Sequence, residues 1–206
     1  MYEIAPPVPF AIVICLGQKT YENTRKAIAA DHTGKLDPFF PVPDHWHATQ
    51  AAGFAALTEG VCFRFFKLYR QAIYGAEARM GLTAAHFKRK NGMNFNIMYR
   101  HLGVIKKGWL RVRSELLPEI ARLATKDHDL LAFVTWCDYI VPVVYDLLQA
   151  VKRGSGAMYM KILPHFIVVL GLLDRSRYLS AFETYSRDLL RSKERLPDFL
   201  NGSWAI

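Results

Sequence analysis

Four consecutive residues, Asp44-His45-Trp46-His47, are the densest group of potential metal ligands in the chain. A carboxylate and neutral imidazoles suit zinc or another divalent cation, with Asp44 and His47 as the candidate ligands. In an extended segment His45 and His47 point the same way, whereas in a helix they diverge by about 200°. No further Cys or His stands at finger-like spacing. The alternative is that Asp44 caps the following helix while Trp46 and His47 pack at its base. A second candidate is the turn Cys15-Leu16-Gly17-Gln18-Lys19-Thr20, because the N–H groups at a helix start favour anions. The Walker pattern, however, needs a glycine five residues before Gly-Lys-Ser/Thr, and here Gln18 separates Gly17 from Lys19. A plain strand-to-helix turn accounts for it better. Ser–His–Asp catalysis has no anchor, since no G-x-S-x-G occurs. Cys137 falls on an apolar helical stripe and reads as a small core residue, not a nucleophile. No catalytic residue is nominated.

The charge pattern is more informative. Lys and Arg number 27 against 18 Asp and Glu, a net +9. Between Glu77 and Glu115 there is no acidic residue, while Arg79, Lys88, Arg89, Lys90, Arg100, Lys106, Lys107, Arg111 and Arg113 crowd the same interval. Like charges repel, so such a stretch is best tolerated beside a polyanion. Arg100, Lys107 and Arg111 align on one face if a single helix runs on through Gly108, opposite a Phe95–Leu102 apolar stripe. Lys88, Arg89, Lys90, Arg100, Lys106, Lys107, Arg111 and Arg113 are therefore the candidate nucleic-acid contacts, with Asn91, Asn94 and Asn96 nearby as neutral hydrogen-bonding groups. An ordinary solvated helix face is the competing explanation. A membrane surface fits less well, because the aromatic residues follow a core-like stripe.

The elements that would position these residues follow from periodicity. At 206 residues, 51% hydrophobic and 22% charged, the chain is the size of one domain and is neither disordered nor collagenous. Three cysteines with no CxxC pair argue against a disulfide framework or zinc ribbon and for reduced, intracellular thiols, in nucleus or cytoplasm. The longest uninterrupted apolar runs, Val8–Leu16 and Phe166–Leu173, fall short of the ~20 residues that span a bilayer, so a soluble chain is expected. Phe10–Leu16 reads as a buried strand and Lys19–Ala30 as a helix with Thr20 its N-cap and Glu22 near its positive end. Phe39–Pro43 reads as a second strand, confined to an edge by its prolines. From Trp46 onward the pattern is helical. Helices are expected over Ala48–Tyr74, over Asn94–Lys107 and its continuation past Trp109, and along the Leu130–Val151 stripe. Pro118 marks a kink or a fresh start, and Pro142 a kink. Ala157–Leu173 reads as the central buried helix, and Asp174 as the cap of the last, with Tyr178, Phe182, Tyr185 and Leu189 as its stripe. The expected fold is mainly α: a partial α/β unit over residues 1–45 with a helical region over 46–206 packed on it, together one domain. Two strands cannot close their own edges, so either helices wrap a minimal sheet or further strands belong to it.

Four segments in order carry a resemblance. Gly17-Gln18-Lys19-Thr20-Tyr21 is similar to a strand-end G-D-Q-K-T-Y motif, and Pro41-Val42-Pro43-Asp44-His45-Trp46-His47 to a P-x-P-G-D-W-H motif opening a helix. Asp174-Arg175-Ser176-Arg177-Tyr178 is similar to D-R-x-x-Y, and Phe199 to Trp204 to a closing F-x-x-G-x-W/F. Together they resemble an uncharacterised family of transposon-derived animal proteins with an RNase H-like, hAT-transposase-like core. The resemblance implies a residual RNase H-like sheet and, in residues 46–173, a helical insertion. Such transposases cut DNA with acids that hold two Mg²⁺ ions. Gly17 stands where that motif has its Asp and offers no carboxylate. Asp44 matches the later Asp only if His45 is an insertion, and Glu183 is merely available as a third acid. The resemblance therefore implies a nucleic-acid-binding domain without nuclease activity and without a cofactor, Mg²⁺ entering only if another chain completes the site. The alternative is a helical protein-interaction module, with a protein partner or oligomer in place of nucleic acid.

Overall fold

The computed structural model describes residues 12–36, 39–60, 95–124 and 127–193. Lys88, Arg89 and Lys90, the opening and closing residues of the chain and the expected stripe beyond Gly60 lie outside them.

The N-terminal unit is a strand, a helix and a strand: β1 (Ile12–Leu16), α1 (Gln18–Ala30) and β2 (Phe39–Pro43). The strands pair in parallel, Ile12 opposite Phe39 and Leu16 opposite Pro43. Parallel pairing needs a crossover, which α1 supplies. Alternate residues of a strand direct their N–H groups to opposite edges, and Pro41 and Pro43 have none to give. The ladder to β1 must therefore use the N–H groups of Phe40 and Val42, and the far edge of β2 lacks donors at both prolines. That edge is closed to further pairing by its covalent chemistry.

Two details of α1 differ from expectation. The helix begins at Gln18, with Gly17 at the N-cap position and no side-chain cap, so Thr20 lies inside the helix and Glu22 beyond its first turn. Tyr21 turns into the core, and Gln18 Nε2 reaches the Arg177 carbonyl at 2.8 Å. After α1, Asp31 closes the connecting turn. Its carboxylate accepts from Thr33 N–H and hydroxyl at 2.9 and 2.6 Å and from Leu36 N–H at 2.8 Å, which holds its pKa below the usual carboxylate range.

Helices follow: α2 (His45–Gly60), α3 (Phe95–Ala124), α4 (His128–Thr135), a π-turn (Trp136–Ile140), α5 (Val141–Lys152), α6 (Gly156–Leu172) and α7 (Ser176–Lys193). The core side of α2 is built of small residues, Ala48, Ala52, Ala55 and Ala56, with Leu57. Its two glycines let neighbours approach closely. A Cβ at Gly53 would lie 2.5 Å from Met98 Sδ, and one at Gly60 1.9 Å from the Trp136 ring. From α3, Met98, Leu102, Ile105 and Trp109 enter the core at spacings of four, three and four.

Pro118, Pro142, the burial of α6 and Asp174 each take a form that the letters left open or misplaced. Helix α3 runs through Pro118 without a break. At Pro142 the chain inserts a π-turn, in which Val141 N–H bonds back to the Trp136 carbonyl. Widening the preceding turn accommodates a residue that has no N–H and crowds the carbonyl four back. Helix α6, which also contains Pro164, is not fully buried. Tyr159, Leu163, Phe166, Val169 and Leu170 face inward, while Val168 and Leu172 are more than half exposed. Asp174 ends α6 and does not cap α7: it sits at φ 49°, and Arg175 N–H reaches back to the Leu170 carbonyl at 2.8 Å. This is the left-handed Schellman ending. Gly154 does the same after α5 at φ 61°, with Ser155 N–H on the Ala150 carbonyl, and the Ser155 hydroxyl then caps α6.

The continuous helical run His128–Lys152 is long and apolar enough to cross a membrane, with 25 residues and a mean hydropathy of 1.5 in its most apolar window, but half of that window is buried inside the protein. Asp138 and Asp146 interrupt the apolar letters while leaving the average high, which is why no long uninterrupted run shows in the sequence.

Candidate nucleic-acid interface

The continuity of α3 decides where its cations point. Because the helix passes through Gly108 unbroken, Arg100, Lys107 and Arg111 fall within about 40° of one another around its axis. All three are exposed. They line a groove of about 540 Å³ together with Tyr99, Gly103, Val104 and Leu110 of the same helix and Tyr145 of α5.

The aromatic wall is built from two helices. Tyr99 of α3 and Tyr145 of α5 stack with ring centroids 5.1 Å apart and planes at 20°. Lys152 Nζ lies 4.8 Å from the Tyr99 ring centroid and Lys106 Nζ 5.4 Å from that of Tyr145, so a cation closes each end of the stack. Gln149 Nε2 donates to the Tyr145 hydroxyl at 3.0 Å. Gly103 lets the Tyr145 ring lie against α3, since a Cβ there would meet ring carbon Cε2 at 2.9 Å. Burial, then the hydrogen bond and proximity to Tyr145, push the Tyr99 hydroxyl up to about 12, with Arg153 opposing. The phenol is therefore neutral at ordinary pH.

Two nominated cations of α3, Lys106 and Arg113, are paired with carboxylates. Lys106 Nζ pairs with Asp146 at 2.5 Å, and Arg113 Nε with Asp138 at 2.9 Å. Asp138 projects from the π-turn and also accepts from the Trp109 indole at 2.5 Å. These two ion pairs tie α3 to the π-turn and α5; they are partly buried and work as cross-links. The sequence reading nominated neither Tyr145 nor Lys152, Arg153 and Leu110. A signal for the first three exists in Tyr145, Gln149, Lys152 and Arg153, which recur at helical spacing beside the apolar stripe of α5.

The Asp44 cluster resolves as a helix cap. Asp44 accepts from His47 N–H at 3.0 Å and also contacts the His47 ring. Burial raises its pKa, but the His47 ring and backbone hydrogen bonds outweigh that and hold it below the usual carboxylate range. The helix starts at His45, so the two histidines diverge: His45 is buried and His47 exposed. Trp46 and His47 are exposed, and His45 is the residue buried at the helix base. It is enclosed by Tyr159, Phe182 and Tyr185 at ring distances of 4.9 to 5.4 Å, and its Nδ1 lies 2.9 Å from the Tyr159 hydroxyl. Among the described residues, no group of three or more His, Cys, Asp or Glu side chains converges as a metal site.

The two described thiols, Cys15 and Cys137, are shifted away from the reactive thiolate. Burial, then Asp44, raises the Cys15 pKa, and burial, then Asp138, raises that of Cys137. Glu183 is exposed on α7, and Gly17 faces open space, with nothing within 4 Å of a Cβ placed there. No protein-family model matches the chain, and neither a curated protein nor a solved structure matches it.

Proposed function

We propose that this chain is a nucleic-acid-binding domain derived from a transposase-like protein and inactive as a nuclease by itself. The observation that carries the reading is the line of Arg100, Lys107 and Arg111 along an open groove that two stacked tyrosines also line. Cations in a row neutralise consecutive phosphates and release their counterions, and aromatic surface beside them suits sugars and bases. The transposase ancestry rests on the four ordered motifs. The loss of cutting rests on Gly17, which supplies no carboxylate, and on Asp44, which is engaged as a helix cap.

The test is binding of a labelled oligonucleotide at two salt concentrations, for the chain and for its Arg100→Gln/Lys107→Gln/Arg111→Gln variant. Three phosphate contacts give a log–log salt slope of roughly −2 to −3, which the variant should flatten. Unchanged affinity in the variant rejects the site. A second reading, a helical protein-interaction module, is favoured by the exposed Val168 and Leu172, one turn apart on α6. Retained pull-down of a protein partner by the triple variant, with no oligonucleotide binding by the parent chain, would support it.

A further inference from the structure

We infer that the groove takes a single strand of nucleic acid with its bases turned toward the wall of Leu110, Tyr99 and Tyr145. The inference rests on the nucleic-acid reading and narrows it to one class of ligand.

The cations form one line, not two. On a helix rising 1.5 Å per residue, Arg100 and Lys107 are about 10 Å apart along the axis and Lys107 and Arg111 about 6 Å. One such line follows one sugar–phosphate backbone. The groove itself, at about 540 Å³, is on the scale of sites that enclose a small molecule, room for a base or two. A duplex presents phosphate and sugar on its outside and keeps its base faces stacked within. It would engage the cations and leave the apolar lining of Leu110, Tyr99 and Tyr145 unused.

That wall is apolar where a phosphate site has no need of it. Leu110 is 58% exposed and lies between Lys107 and Arg111 in sequence. The tyrosine pair is only half-buried, and Gly103 lets the Tyr145 ring lie against α3. Cations with aliphatic and aromatic surface beside them in one groove match the phosphate and base sides of an unpaired strand. Unpaired bases supply apolar faces that a duplex hides.

The experiment is fluorescence anisotropy on the full chain with a labelled 12-nucleotide oligo-dT and with the same strand annealed to its complement. Both are measured at low and moderate salt for the parent, for Leu110→Ser and for the triple charge variant. The single strand should bind about tenfold or more tightly than the duplex, and Leu110→Ser should weaken it about three- to tenfold while leaving duplex binding in place, as expected for loss of a base contact. Leu110 is exposed, so its replacement leaves folding intact. Equal or tighter duplex binding that the charge variant abolishes would overturn the single-strand inference and leave the nucleic-acid reading standing. A single-strand preference untouched by Leu110→Ser would remove the base-facing wall. No affinity for either probe, or affinity that survives the charge variant, would defeat both readings.

Discussion

Replacing Gly60 by alanine isolates the packing that holds α2 against the π-turn. A Cβ at Gly60 would lie 1.9 Å from Trp136 Cζ2 and 2.2 Å from Cε2, well inside contact distance. The indole has little room to give, being 1% exposed, and its Nε1 donates to the Ala56 carbonyl at 2.8 Å. Forcing an extra methyl into a packed core costs about 1–3 kcal/mol, and breaking the indole hydrogen bond adds about 1 kcal/mol. Against this, alanine gains at most about 1 kcal/mol over glycine in helix propensity, and less at the last residue of α2. The net expectation is a loss of about 1–3 kcal/mol, at about 2–4 °C of Tm per kcal/mol for a chain of this size. Gly171→Ala is the matched control: there a Cβ meets only Leu179 Cδ2 at an ordinary 3.8 Å, so the propensity gain stands alone and stability rises by up to about 1 kcal/mol. Urea unfolding followed by tryptophan fluorescence reads both variants. If Gly60→Ala proved as stable as the parent, Trp136 would not be seated against α2 as described.

Other perturbations reach the remaining elements. Burial holds the pKa of His45 down to about 4 from 6.5, against a smaller opposing effect of Asp44. The unfolded chain then binds the extra proton first, so this group's contribution, about 3 kcal/mol, is complete above pH 6.5 and is lost as pH falls toward 4. The difference in urea midpoint between the parent and His45→Gln should narrow across that window, and a constant difference would refute the burial. Gly103→Ala should leave stability within about 1 kcal/mol of the parent, helix propensity offsetting the contact with Tyr145, while displacing the ring and weakening oligonucleotide binding in the anisotropy assay. Asp44→Ala removes the α2 cap and should cost about 1 kcal/mol in urea unfolding, with no change in binding at the distant groove.

How legible the fold was in the sequence depended on whether a pattern was local. The strand–helix–strand unit shows because Ile12–Leu16 is β-branched and Phe39–Pro43 carries edge prolines, and both signals lie within a few residues. The alignment of Arg100, Lys107 and Arg111 was readable, conditional on continuity through Gly108. Where a tertiary neighbour decided the outcome, the letters misled. Asp174 looks like a helix cap, yet the chain reversal after α6 places it in the left-handed position. At Pro142 the letters mark a disturbed helix but not its form, a π-turn one residue wider. Lys106 and Arg113 look like part of a uniform basic run; their partners, Asp146 and Asp138, lie more than twenty residues away in sequence. An acid-free interval says nothing about acids that folding brings beside it.

Binding and cutting make separate demands on this chain, and the residues meet them unequally. Phosphate binding needs cations in line on a rigid element, and α3 provides them on thirty continuous residues cross-linked to its neighbours through Asp138 and Asp146. A two-metal nuclease needs carboxylates converging at the strand ends. There Gly17 follows β1, and Asp44, just beyond β2, spends its oxygens on His47. Restoring one acid by Gly17→Asp adds a side chain into open space, since nothing lies within 4 Å of its Cβ. That variant should therefore fold like the parent and keep its oligonucleotide affinity, yet gain no Mg²⁺-dependent nicking, because Asp44 remains committed and no third acid converges among the described residues. Nicking of supercoiled plasmid by Gly17→Asp in Mg²⁺ would show instead that the other acids are already in place, and the separation of binding from cutting argued here would fail.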